Sequence, residues 1–162
     1  MRAKDFVVEH SSTEHEIPGE PGTEPIMPGY VRLYHQTDGD NLRSIEKEGL
    51  LFSHAKGIEG PRAIYAGETP FYGRATSRPT LEFQVPKKYW DAPFVLCDVT
   101  PDMFIATHYP WHEKARYLED EHNPEAKQNA LSGKFDNLLN DPEYGPAVRY
   151  IKRKYSNVPN AL

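Results

Sequence analysis

The sequence predicts an α+β fold in a single domain, on three observations. Apolar and polar residues alternate in Val31-Arg-Leu-Tyr-His35 and again in Thr80-Leu-Glu-Phe-Gln-Val-Pro86, the period of half-buried strands. From Pro110 onward the pattern changes to the longer period of amphipathic helices. Before residue 29, proline and glycine are too dense to hold a regular element. The expected organisation is a Pro/Gly-rich N-terminal arm over 1–28 and one domain over 29–162, β-rich across 29–109 and helical across 110–162.

Each element has its own signal. In the arm, Phe6-Val-Val8 offers one short strand, and the core is expected to fold without residues 1–28. The Val31–His35 strand leads through the polar turn Asp38-Gly-Asp-Asn41 into a helix, with Asp40 or Asn41 as its cap. Leu42 and Ile45, three apart, give that helix an apolar stripe. Gly49 suits the left-handed position that ends it, and Leu50-Leu51 leave it as buried residues. Ala63–Ala66 reads as a strand and Thr69–Ala75 as a short helical turn, with Phe71 and Tyr72 available to pack. Thr80–Pro86 is a strand ended by its proline, and Ala92–Val99 is a second apolar strand. Asp102–His108 is a third, although so short a run also fits a helix. Glu113–Glu121 is an amphipathic helix. Pro124 suits the first position of the next, which Gly133 interrupts, and Pro142 starts the last, with Val148, Ile151 and Tyr155 on one face.

Composition narrows the function classes. At 162 residues the chain is long enough to bury a core, and 38% apolar with 27% charged residues is globular but rather polar. Its 15 prolines exceed the roughly 5% average usage and argue for short elements and loops. A net charge of −5 gives no general reason to expect nucleic-acid binding. Lys152-Arg-Lys154 reads as a helix end that complements the dipole rather than as a basic patch. Cys97 is the only cysteine, so no disulfide framework and no cysteine-based metal site is expected, and its apolar run makes it a small buried hydrophobe. No stretch approaches the roughly 20 apolar residues of a membrane span, and Met1–Glu20 lacks an apolar signal core. A soluble, cytoplasmic monomer without a membrane partner is the expectation.

The chemistry-bearing residues cluster in the first half. His35 stands at a strand end, followed by Gln36 and Thr37. A helix ending Glu48-Gly-Leu50 comes next, and then the strand of Gly60-Pro-Arg-Ala-Ile-Tyr65-Ala-Gly. In order and spacing these resemble the NAD-binding core of the ADP-ribosyltransferase superfamily, in its diphtheria-toxin/PARP-like His-Tyr class, over about residues 30–105. The resemblance implies a small split β-sheet core with flanking helices. It also implies NAD as substrate, release of nicotinamide, and ADP-ribose transfer to a macromolecular acceptor, protein or nucleic acid.

By the same resemblance His35 hydrogen-bonds the ribose of NAD and Tyr65 stacks on the nicotinamide, with Gln36, Thr37 and Ala66 beside them. From their own chemistry, Tyr72, seven residues after Tyr65, is a candidate second wall of the slot, and Arg62 and Arg74 are candidates to neutralise the pyrophosphate, for which the arginine fork is suited. Cleavage of the nicotinamide–ribose bond generates an oxocarbenium-like centre, so ring and sugar must be held at a fixed mutual angle. Active members place a Glu at the start of a later strand. Ala92-Pro93 stand there in this chain, so Asp91 is the expected third catalytic residue with His35 and Tyr65, and Glu82, Glu113 and Glu143 are less well placed. His108-Tyr-Pro-Trp-His112 has a chelate spacing, but Pro110 lies inside it and no third ligand is evident, so no metal is expected. Two alternatives stay open. One is a non-catalytic nucleotide- or protein-binding module on the same fold. The other is an RNA 2′-phosphotransferase-like enzyme, for which a basic cluster that would grip the 2′-phosphate is missing.

Overall fold

Alternation of Leu81, Phe83 and Val85 with Thr80, Glu82 and Gln84 gives one strand an apolar face and a polar face. In the computed structural model, which describes residues 17–51, 64–70 and 78–156, that strand is β3 (Thr80–Pro86). It is the centre of an antiparallel sheet between β1 (Tyr30–Gln36) and β6 (Phe104–His108). The register sets Tyr34 opposite Glu82 and His35 opposite Leu81 on one side, and Thr80 opposite His108 and Leu81 opposite Thr107 on the other. Directly opposed side chains share a face. One face therefore carries Arg32, Tyr34, Gln36, Thr80, Glu82, Gln84 and His108, and the other carries Leu33, His35, Leu81, Phe83 and Thr107.

A second small sheet has the order β2-β5-β4, from β2 (Ile64–Tyr65), β4 (Trp90–Asp91) and β5 (Phe94–Val95). It is tied to the free edge of β1 by a two-way backbone bridge, Tyr34 N–H to Gly67 O at 2.8 Å and Gly67 N–H to Tyr34 O at 3.0 Å. Between β1 and β2 runs helix α1 (Gly39–Glu48). Gly49 ends it at φ 94°, and a Cβ there would lie 2.3 Å from the Val99 carbonyl oxygen, so glycine is required by both conformation and space. Leu50 then pairs with Val99.

Residues 18–29 belong to the same unit as these sheets. Gly22 N–H donates to Glu82 Oε2 at 3.1 Å, Met27 N–H to Gln84 Oε1 at 2.8 Å, and Arg32 Nη2 to the Glu24 carbonyl. The segment expected to be a separate arm thus uses its backbone, which no regular element satisfies, to cap polar side chains of the sheet.

The second unit comprises Ile17 and residues 109–156 of the described chain. Its helices are α2 (Pro110–Leu118), α3 (Pro124–Ser132) and α4 (Tyr144–Ser156). Ala115, Ala126, Ala130 and Ala147 let the helices approach closely around Leu118, Val148, Tyr150 and Ile151. Lys154, Tyr155 and Tyr150 all donate to the Glu119 carboxylate, at 2.7, 2.6 and 3.4 Å, which pins α4 to the end of α2. Burial alone would raise that carboxyl; the bonds from Lys154 and Tyr155 outweigh it and hold it low. Lys152 pairs with Asp136 at 2.6 Å, so Lys152 and Lys154 at the close of α4 are both engaged within the unit.

Several element boundaries differ from the sequence reading. The apolar run Ala92–Val99 is a strand only at Phe94–Val95, because Ala92-Pro93 form the two-residue turn that folds Phe94 back onto Asp91. Asp102 and Met103 belong to a 3-10 turn, and the third strand starts at Phe104. Asp38, not Asp40 or Asn41, holds the N-cap position of α1, and its carboxylate pairs with Arg78 at 3.1 Å. Pro110 at the first turn starts α2 three residues before Glu113. The last helix begins at Tyr144 rather than Pro142, since Asp141 Oδ1 accepts from the amides of Tyr144 and Glu143. Those two bonds hold the Asp141 carboxyl below its ordinary value. Phe6-Val-Val8 and the greater part of the Thr69–Ala75 turn lie outside the described residues.

A chain truncated through residue 28 should be about 2–4 kcal/mol less stable than one truncated through residue 17. Removing 18–28 strips partners from Arg32, Glu82 and Gln84, and each lost hydrogen bond costs about 0.5–1.5 kcal/mol. Urea denaturation of the two chains measures the difference, and coincident midpoints would show that the segment contributes no stability.

Candidate functional site

His35 is placed by the two edges of β1. On the inner edge it is paired with Leu81 of β3, and on the outer edge the neighbouring Tyr34 is bridged to Gly67. That double constraint brings the imidazole to the strand carrying Tyr65, and His35 Nδ1 lies 2.6 Å from the Tyr65 carbonyl oxygen. A carbonyl only accepts, so Nδ1 carries the proton and Nε2 keeps its lone pair. Burial pushes the His35 pKa below the ordinary imidazole value, and the bond to the Tyr65 carbonyl opposes this only in part. At neutral pH the ring is therefore uncharged, with Nε2 able to accept a hydrogen bond from a hydroxyl.

Tyr65 itself is 43% exposed and stands edge-on to Phe94, with ring centroids 5.1 Å apart and planes at 64°. Ala66 is buried, and its N–H donates to the Pro93 carbonyl at 3.0 Å, which locks the Ala92-Pro93 turn against the Tyr65 strand. Thr37 is buried at the end of β1, and its N–H donates to the Pro79 carbonyl. Gln36 lies on the opposite face of the sheet from His35. His35, Tyr65, Ala66 and Thr37 thus share one neighbourhood, with an imidazole and a half-exposed phenol ring at its surface. Arg62, Tyr72 and Arg74 lie outside the described residues.

The carboxylates are distributed less simply. Asp91 is exposed and directly opposite Phe94, which is itself directly opposite Tyr65, so the three share one face of the small sheet. Two strand spacings separate Asp91 from Tyr65, about 10 Å between Cα atoms. Phe94, an aromatic and not an acid, holds the start of β5 next to Tyr65. Glu82 is on the face of β3 turned away from His35. It is 1% exposed, bound by Arg32 Nη1 at 2.5 Å and His108 Nε2 at 2.6 Å. Glu113 and Glu143 belong to the second unit.

One carboxylate on the His35 face escaped the sequence reading. Thr107 lies in a row with Leu81 and His35 across the three strands, and its hydroxyl donates to Glu46 Oε2 at 3.0 Å. The signal was present: Glu46 is four residues after Leu42, so a charged side chain interrupts the apolar stripe of α1 at helical spacing. Glu82 gave no such signal, because a polar residue in an alternating strand reads as solvent-facing.

Neither histidine of the His-x-x-x-His spacing is arranged as a chelate. His108 spends Nε2 on Glu82, and His112 Nδ1 accepts the Tyr109 N–H at 3.1 Å. Among the described residues no cluster of three metal-ligating side chains occurs. Cys97 is partly buried, and burial together with the Asp98 charge raises its thiol pKa, which disfavours the thiolate. Among the described residues no helix is long and apolar enough to cross a membrane.

Comparison with protein-family models, curated proteins and solved structures finds no match to this chain. The site is therefore read from its own geometry.

The geometry fixes how His35 titrates. Its imidazole should lose its proton below the ordinary value of about 6.5 and keep the Nδ1–H tautomer above it. Nitrogen-detected NMR across pH 4–8 checks both points, the ordinary histidine window. An Nε2–H tautomer at neutral pH would mean that the Tyr65 carbonyl does not hold the ring.

Proposed function

We propose that the chain transfers ADP-ribose from NAD to a macromolecular acceptor with release of nicotinamide. The observation that carries this reading is the junction of His35 and Tyr65. A neutral imidazole, fixed through Nδ1 by the Tyr65 carbonyl, stands beside the half-exposed ring of the same tyrosine. Nε2 accepts a ribose hydroxyl, and the phenol face stacks on the flat nicotinamide. Holding the sugar from β1 and the leaving ring from β2, with the imidazole bonded to the Tyr65 backbone, fixes the angle between them, which lowers the entropic part of the barrier.

In the reaction the bond from C1′ of the ribose to the nicotinamide nitrogen breaks. Its electron pair goes to the pyridinium ring, and neutral nicotinamide leaves. A nucleophile of the acceptor bonds to C1′ and gives up its proton. Positive charge develops on the ribose between these events, so a carboxylate near the sugar is the remaining requirement. Asp91 is the first candidate, on the same sheet face as Tyr65. Glu46, oriented by Thr107 on the His35 face, is the second. Tyr72 as a second wall and Arg62 on the pyrophosphate complete the proposed NAD site.

A second reading is a nucleotide-binding module without catalysis. The presence of Phe94 rather than an acid beside Tyr65 favours it. Binding and turnover separate the two. NAD at a hundredfold excess over its dissociation constant should raise stability by about 2.7 kcal/mol. His35→Ala and Tyr65→Ala should abolish that shift without unfolding the chain. Labelled NAD incubated with lysate, followed by mass spectrometry of modified acceptors, reads turnover. Whichever of Asp91→Asn and Glu46→Gln removes the acting acid should lower kcat by about 10²–10³ with little change in NAD affinity. Full turnover in both variants would remove both carboxylates from the mechanism. Binding without turnover in the wild type would establish the module, and no thermal shift at millimolar NAD would end both readings.

A further inference from the structure

Bonds between backbone and side chain link residues 22–27 to the polar face of β1 and β3. They include Gly22 N–H to Glu82, Met27 N–H to Gln84, and Arg32 to the Glu24 carbonyl. Two of them run through one ion pair, because Arg32 also bonds Glu82 through Nη1. The segment has four prolines and no regular element, its turns closed by bonds from Thr23 to the Glu20 carbonyl and from Tyr30 to the Met27 carbonyl. We propose that residues 18–29 form a carboxylate-latched strap, closed while Glu82 is ionised and released from the sheet when Glu82 takes up a proton.

The chemistry of the latch follows from its donors. Glu82 Oε2 accepts from the Arg32 guanidinium and the Gly22 amide, and Oε1 accepts from His108 Nε2. The guanidinium and the amide can only donate, so a proton on Oε2 meets a donor and one of those two bonds must be given up. The Gly22 bond is the neutral one and the longest, at 3.1 Å against 2.5 and 2.6 Å. It also belongs to the only partner on a segment without regular structure, so its loss costs no sheet pairing. The end of the strap stays fixed, since Lys87 N–H donates to the Gly29 carbonyl at 3.0 Å.

The charged and titratable groups facing Glu82 come from each neighbouring element. β1 contributes Arg32 and Tyr34, β6 contributes His108, and the strap contributes Glu24, through its carbonyl on Arg32. Tyr34 is directly opposite Glu82; burial first, and then the Glu82 charge, raises its phenol. The same face carries Thr80 Oγ1 and His108 Nδ1, both buried without a hydrogen-bond partner among the described residues. Water admitted to this face would find groups to satisfy, which favours an open state.

Burial would raise the Glu82 carboxyl, but the bonds from His108 and Arg32, with the Gly22 amide, hold it below its ordinary value. A depressed carboxylate contributes its stabilisation above the unfolded-state value and loses it as pH falls through the folded one. Release therefore belongs to acid conditions, below the ordinary carboxylate range.

The test is amide exchange and NMR on the full chain, from neutral pH down to about pH 2, corrected for intrinsic exchange. Gly22 and Met27 should lose protection together, with one midpoint that coincides with the Gly22 amide shift, while Phe83 in β3 stays protected. In Glu82→Gln the strap should be open at neutral pH, with protection at Gly22 reduced about tenfold or more, as for one lost hydrogen bond. Gln84→Ala removes only the acceptor of Met27, so it should lower protection there and leave the Gly22 midpoint unmoved. If Glu82→Gln does not fold, the wild-type titration decides alone. Simultaneous loss of Gly22 and Phe83 protection, retention of Gly22 to the end of the titration, or a midpoint moved by Gln84→Ala would each overturn the proposal.

Discussion

The first unit is organised around one buried carboxylate. Glu82 lies on the central strand, Arg32 on one neighbour and His108 on the other, so a single ionised side chain ties all three strands of the sheet together. Such a cluster is weak as a source of stability, because two or three charges lose their water to form it. Its force is in what it forbids. Slipping β3 by one residue would bring Glu82 to the face of Leu33 and Phe83, away from Arg32 and His108 and against apolar side chains. The cluster thus sets the register, and the register sets everything that lies on the other face.

His35 shows the consequence. Its ring reaches the Tyr65 carbonyl because β1 is held on both edges, by β3 through the full ladder and by Gly67 through a single bridge. The imidazole then has one nitrogen committed to the fold and one left for chemistry. Polar face and site face divide the strand by simple alternation. Arg32 and Tyr34 go with the buried ion pair, and His35 goes with the ring of Tyr65. The small sheet adds a second layer of support, since Phe94 is set against the Tyr65 ring by the same turn whose carbonyl accepts from Ala66.

The helical unit solves a similar problem with different donors. Glu119 is half-buried at the end of α2, and its donors are an ammonium and two phenols, all from α4. Their charge and hydrogen bonds keep the carboxyl ionised against its burial; at Lys154 burial is outweighed by Glu119 and the pKa rises, and at Tyr155 burial and then Glu119 raise it. Lys154 also stands over the rings of Tyr150 and Tyr155, so the cation is shared between carboxylate and aromatic faces. Lys152-Arg-Lys154 does close the helix, as the sequence reading expects, and Lys152 and Lys154 have a more specific role besides, as partners of Asp136 and Glu119.

What the sequence determined by itself is the set of local choices. Alternation fixed β1 and β3, Gly49 stopped α1 where a left-handed backbone was needed, and Pro124 and Gly133 bounded α3, because each depends on residues within a few positions of one another. The closeness of His35 to Tyr65 was expected only through the family resemblance, and in the fold it rests on the imidazole–carbonyl contact and the bridge at Gly67. Only the tertiary structure decided the rest. It decided that Glu82 is buried and not solvent-facing, since its donors Arg32, His108 and Gly22 lie 50, 26 and 60 positions away. It decided that Pro/Gly-rich residues 18–29 cover a sheet face, because extended backbone without regular structure finds its hydrogen bonds on side chains that local pattern cannot name. It also decided that Glu46 shares a face with His35, because that depends on how α1 meets β6 through Thr107. Local periodicity assigns a residue to a face of its own element; only the packing of elements assigns that face to solvent, core or site.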